Sequence, residues 1–212
     1  MKKCVVSFAD TQFYQDKMKR IEASLKGNFD GDFLGFTDVK QIGSPPHKEI
    51  PYAFKPYAIQ KAIDMGYDLV LWLDSPIVAI KSIEPVFDHI KSSGYVFFNN
   101  YGHPLGKWTN DKALDYFKVT REEAMNMKQI MACCMGFSRG LLSGFYQYKS
   151  LAHELYPGSW DNHRHDQTVM SFILNKRGST ILDGHKTFFI YEHFKQVPEF
   201  QPISESVCLV SR

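Results

Sequence analysis

The apolar residues of this chain fall into two alternating rhythms. Residues 69–73 are five apolar positions in a row, bounded by Asp68 and Asp74. An unbroken run of that length predicts a central strand covered on both faces. Residues 52–65, just before it, space their apolar positions three and four apart and stop at Gly66, which predicts a helix feeding the strand. Asp74 then falls at the carboxyl end of a buried strand, where open α/β sheets meet their ligands.

The alternation continues in both directions. Residues 4–8 read as a first strand, and Tyr14, Met18, Ile21 and Leu25 as the inward face of a helix ending at Gly27. Residues 33–36 predict a second strand, followed by an irregular loop through Gly43, Pro45 and Pro46. Residues 83–93 predict a helix with Ile83, Val86, Phe87 and Ile90 inward, and Gly94 releases the chain into a strand over 95–98. Beyond it the pattern predicts a helix over 110–128, a strand over 130–137 and a helix over 164–174 opened by Asp161, Asn162 and His163. A last strand is expected over 186–191, with an unassigned surface tail after Pro198. Strands alternating with helices predict an α/β fold, a mostly parallel central sheet flanked by helices.

Composition narrows this to one compact domain: 212 residues, 44% hydrophobic and 15% aromatic, suffice for a sizeable single core. A formal charge of only +2, with its basic residues scattered, argues against strongly electrostatic binding, so a nucleic-acid partner is possible but not indicated. Cys4, Cys133, Cys134 and Cys208 show no C-x-x-C spacing, which fits a reducing compartment. After Lys2 and Lys3 an apolar run is cut by Asp10 after six residues, too short for a signal-peptide core, and no segment reaches membrane-spanning length. A soluble, cytoplasmic chain without integral membrane contact is expected.

Several polar residues stand where chemistry is done, and each also has an ordinary explanation. Asp74 either meets a ligand or caps the turn after its strand. Lys55, just before Pro56, suits a first helical turn, from which its ammonium could reach a phosphate, or it is an ordinary exposed lysine. Asp166 sits in the first turn of a helix, where the dipole favours an acid regardless of function. Residues 99–109 combine Gly102, Pro104 and Gly106 with Tyr101, His103, Lys107 and Trp108, a composition suited to a binding loop. Trp108 is either a stacking face or a loop anchor. Ala132 and Gly136 are small enough to let a ligand approach their strand, although Gly136 is equally a strand-end bend. His163 and His165 flank Arg164 and could position it, or could simply be surface residues.

Taken in order, AFKPYAIQKAI, LVLWLDS, MACCMGF and HRHDQTVMSFIL resemble the nucleotide-sugar glycosyltransferases of the GT-A fold, over residues 3–193. The resemblance implies a nucleotide-diphosphate-sugar donor held by residues 1–100, an unidentified hydroxyl acceptor held by 101–198, and a surface tail over 199–212. It assigns Phe8, Ala9, Asp10, Lys55, Ser75, Ala132 and Gly136 to the donor, and Trp108, His165 and Gln167 to the acceptor or its sugar. Asp166 becomes a sugar-contacting carboxylate and the general base of an inverting reaction; a retaining one would need no dedicated base. Members of that fold typically hold a divalent ion with Asp-x-Asp, whereas this chain reads Asp74-Ser75-Pro76. Mn²⁺ or Mg²⁺ held by Asp74 and a late histidine, His185, is the expectation, beside a metal-free site in which Asp74 binds hydroxyls. A catalytically silent sugar-nucleotide or glycan binder is the main alternative. A nucleotidyltransferase ranks lower, because Ala9-Asp10-Thr11-Gln12-Phe13 is not a Gly-rich basic loop.

Overall fold

Unbroken apolar strands need cover on both faces, and the computed structural model supplies it. It describes residues 1–212, with only the backbone of residues 142–145. In chain order the elements are β1 (Lys3–Phe8), α1 (Gln12–Leu25), β2 (Asp32–Phe36), α2 (Val39–Ile42), α3 (Phe54–Asp64), β3 (Leu69–Leu73), β4 (Ile77–Ala79), α4 (Glu84–Ser93) and β5 (Tyr95–Asn99). There follow α5 (Asp111–Phe117), α6 (Arg121–Met125), β6 (Ile130–Ser138), α7 (Leu142–Ser150), α8 (Ala152–Leu155), α9 (His165–Lys176), β7 (Phe189–Tyr191) and β8 (Leu209–Ser211).

The central sheet has the order β2-β1-β3-β6-β5. β1 pairs in parallel with β2 and β3, whereas β6 runs antiparallel between β3 and β5, so four of the five strands point the same way. Every residue of β3 is buried. On one face Val70 and Trp72 join Ile59 and Ile63 of α3; on the other Leu69, Leu71 and Leu73 join Val86, Phe87 and Ile90 of α4. The alternation of side chains along a strand divides the two cores this way. Because β1 and β3 are parallel neighbours, their carboxyl ends, Phe8 and Leu73, open on one edge of the sheet.

Three expectations change. The helix expected over 110–128 is two, because Lys118 takes the left-handed conformation (φ 51°) and Thr120 opens α6 with a reciprocal capping box to Glu123. The last strand starts at Phe189, since residues 184–186 form a tight turn. The C-terminal residues are not a surface tail: Val207, Cys208, Leu209 and Val210 are buried, and β8 is the middle strand of a second sheet, β4-β8-β7. An apolar run at a chain end carries no flanking pattern to reveal its partners, which here come from residues 77–79 and 189–191. Among the described residues no helix is long and apolar enough to cross a membrane.

Candidate functional site

A lysine on the apolar stripe of a helix needs a reason. In α3 the buried positions are Lys55, Pro56, Ala58, Ile59, Ala62 and Ile63, so Lys55 is carried into the core by the same helical spacing as its apolar neighbours. Its ammonium lies 3.1 Å from Asp74 Oδ1 and 3.3 Å from Oδ2, donates to the Ala132 carbonyl at 3.0 Å, and lies 3.7 Å from Asp166 Oδ2. Burial alone pulls the lysine's pKa down, but Asp166 and Asp74 outweigh it and the net movement is upward. The cation therefore remains charged between two carboxylates and a carbonyl dipole.

The two carboxylates occupy different environments. Asp74 is half-buried at the end of β3; its Oδ1 also accepts from the Trp72 indole N–H at 2.7 Å, and its backbone N–H donates to the Cys133 carbonyl at 2.8 Å. Trp72 and Asp74 stand two apart, on one face of the strand, which is what brings indole and carboxylate together. Asp166, only 3% exposed, lies beneath Lys55, and its Oδ2 accepts from the Tyr148 hydroxyl at 2.9 Å. Burial raises Asp166 to about 6, with Lys55 and the Tyr148 bond holding it back from rising further.

At the carboxyl ends of β1 and β3 a cavity of about 280 Å³ opens beside this cluster. Phe8, Ala9, Asp10, Lys55, Asp74 and Ser75 line it, together with aromatic rings that sequence reasoning did not single out for a site: Tyr14, Tyr52 and Phe54. Phe54 stacks on Phe8 with centroids 4.7 Å apart. Tyr52 takes a left-handed backbone (φ 61°), accepted by few non-glycine residues, and its ring lies under Lys55 at 5.3 Å.

Trp108, Arg164 and His165 form a second group beside Tyr52. The Arg164 guanidinium is clamped between the Trp108 ring, at 3.8 Å, and the Trp160 ring, at 4.1 Å. The His165 ring stacks on Trp160 and lies 5.5 Å from Tyr52. Neither flanking histidine is a surface residue: His163 bonds the Leu155 carbonyl and His165 the Tyr156 carbonyl, each at 2.7 Å, and burial lowers both pKa values. Gln167 is half-buried, and its carbonyl accepts from Ser171 Oγ.

Other expected site residues are placed elsewhere. Ala132 contributes its carbonyl to Lys55, but Gly136 lies between Leu71 and Val96 in the sheet. A Cβ there would come within 2.4 Å of Ile90 Cδ1 and 2.5 Å of Val96 Cγ1, so the glycine makes room for α4 and β5 and not for a ligand. His185 packs against Tyr101 and Phe200, and no contact joins it to Asp74.

Of the two residues expected to hold a divalent ion, Asp74 lines the cavity and His185 does not. Asp74 already meets the Lys55 ammonium with both oxygens, and among the described residues no three His, Cys, Asp or Glu side chains converge as a metal-holding group. The pair Asp74–His185 expected to hold Mn²⁺ or Mg²⁺ is not assembled.

No family model and no curated protein sequence matches the chain. Solved structures do. A glycosyltransferase involved in the glycosylation of the major capsid of PBCV-1 superposes with a TM-score of 0.63 at 15% identity, over 100% of this chain and 92% of that one. The bifunctional glycosyltransferase WbbM, in its apo form, gives a TM-score of 0.64 at 13% identity over 99% of this chain, which spans 45% of its length. The chain has the fold of these glycosyltransferases.

Proposed function

We propose that the protein transfers a glycosyl unit from a nucleotide-diphosphate sugar to an acceptor hydroxyl. The observation that carries this reading is the ring-walled cavity at the ends of β1 and β3 with Asp74 on its edge. Tyr14 and Tyr52 offer faces for a nucleobase, and Asp10, exposed at the end of β1, is positioned for ribose hydroxyls.

In the transfer the bond between the anomeric carbon and the diphosphate oxygen breaks and the nucleoside diphosphate departs, the acceptor oxygen bonds the anomeric carbon, and the acceptor proton passes to the departing diphosphate or to water. Asp74 is the carboxylate that faces the cavity while Asp166 lies behind Lys55, so Asp74 touches the reacting sugar and Asp166 acts as a positioning residue. Lys55 holds Asp74 in place through the ion pair at 3.1 Å. A preorganised charge of that kind lowers the barrier without reorganising during the reaction. No step is assigned to a divalent ion.

The test is nucleotide release from a panel of UDP-, GDP-, CMP- and dTDP-sugars, run with Mn²⁺ and with EDTA. Release from one donor, unchanged by EDTA, is expected; silence across the panel with no thermal stabilisation by any nucleotide contradicts the reading.

A further inference from the structure

The geometry points to Arg164 as a subsite for an acidic group, a carboxylate or a phosphate, carried by the acceptor; this rests on the transferase reading above. Both faces of its guanidinium are covered by the Trp108 and Trp160 rings. That leaves only the edge N–H donors, of which one is directed to the Trp160 carbonyl. Among the described residues the other guanidinium nitrogens have no hydrogen-bond partner, and they are not sealed from solvent. Among the described residues no carboxylate lies within ion-pair distance of this arginine. A permanent cation with a free planar edge matches the paired oxygens of a carboxylate or phosphate.

The clamp is built rigidly. The Trp108 carbonyl accepts from the Arg164 backbone N–H at 3.1 Å and from Thr168 Oγ1 at 2.9 Å, which ties the 99–109 loop to the start of α9. Lys107, with its ammonium 5.2 Å from the Trp108 ring, adds positive charge to the same patch, and Trp160 is 50% exposed, so the patch faces solvent.

Its place argues for acceptor over donor. Arg164, Trp108 and Trp160 do not line the cavity, yet Tyr52, which does, lies 5.7 Å from Trp160. An acceptor anchored here by an acidic group would present a neighbouring hydroxyl across Tyr52 towards Asp74.

Titration of the full chain, followed by tryptophan fluorescence, separates the possibilities. The probes are a hyaluronan tetrasaccharide for the carboxylate, mannose 6-phosphate for the phosphate, and neutral chitotetraose, with UDP and GDP titrated in parallel. One acidic probe is expected to bind about tenfold or more tighter than the neutral one, the scale of one charge-assisted bond pair. Arg164→Gln should erase that ratio and Arg164→Lys, which keeps the charge but loses the fork, should retain part of it. Equal or absent binding of acidic and neutral probes overturns the proposal. So does loss of UDP or GDP affinity in Arg164→Gln, which would assign the arginine to the donor. If neither nucleotide binds the unaltered chain, the transferase reading fails by itself, and the acidic-to-neutral ratio still reports on Arg164.

Discussion

Lys55 Nζ lies 3.1 Å from Asp74 and 3.7 Å from Asp166, one cation between a carboxylate that faces the cavity and one that does not. Three charges in one place leave a net negative site whose geometry depends on the lysine. Lys55→Met should leave Asp166 buried without its counter-ion, at a cost of about 3–5 kcal/mol for a broken buried pair. Thermal or urea unfolding measures this. Adding Asp166→Asn to Lys55→Met should recover a large part of the loss, because the neutral amide no longer needs the cation. Strictly additive losses would mean the two residues do not interact.

Gly136 separates packing from ligand binding. Gly136→Ala forces a methyl against Ile90 and Val96 at distances that real side chains avoid. Overpacking of this kind costs about 1–3 kcal/mol. Stability should fall while the affinity of the folded protein for its nucleotide does not; weaker nucleotide binding at full stability would return the glycine to the donor site.

Buried groups set the acid side of the stability curve, and they pull in opposite directions. Burial lowers His163 to about 4, so between pH 6.5 and 4 the unfolded chain takes up a proton that the folded chain refuses, and stability falls as pH drops. His165 is lowered too and adds to the loss. Asp166, raised to about 6, works the other way: as pH falls from 6 towards 3.8 the folded chain binds its proton first, which stabilises. His163, His165 and His185, all buried and all lowered, oppose one carboxyl, so urea midpoints should fall from pH 7 to pH 5. His163→Gln should flatten that slope; a midpoint that rises on acidification contradicts the assignment.

Removal of residues 207–212 tests the second sheet. β8 lies between β4 and β7, and Leu209 and Val210 are fully buried, so the truncated chain should lose cooperative unfolding or solubility. A truncated chain as stable as the full one would mean these residues only cover the surface.

Much of this was legible in the sequence where local pattern and long-range environment agree. β3 is read to its last residue because cover on both faces makes every position apolar, and Asp74 follows from where that run stops. The alignment of Lys55 with Ala58, Ile59, Ala62 and Ile63 already signals a buried cation in need of partners, although its reading as a phosphate ligand missed what they are. Those partners are supplied by strands and helices tens of residues away: Ala132 from β6, Asp166 from α9 and, behind it, Tyr148 from α7. Nothing local in the sequence sets such closures. The same holds for His185, which stands 111 positions beyond Asp74 in the chain and folds against Tyr101 and Phe200 instead. Gly136 and the C-terminal run were misread for one reason: small or apolar residues state that space is tight without saying what fills it.

The most direct test of the central claim is Asp74→Asn, measured by nucleotide release from the donor that the unaltered protein cleaves, alongside the affinity for that donor's nucleotide. The variant keeps the size of the side chain and removes its charge. Release should fall by orders of magnitude while the protein stays folded and still binds the nucleotide; release at the original rate would show that the carboxylate at the end of β3 is not where the sugar reacts.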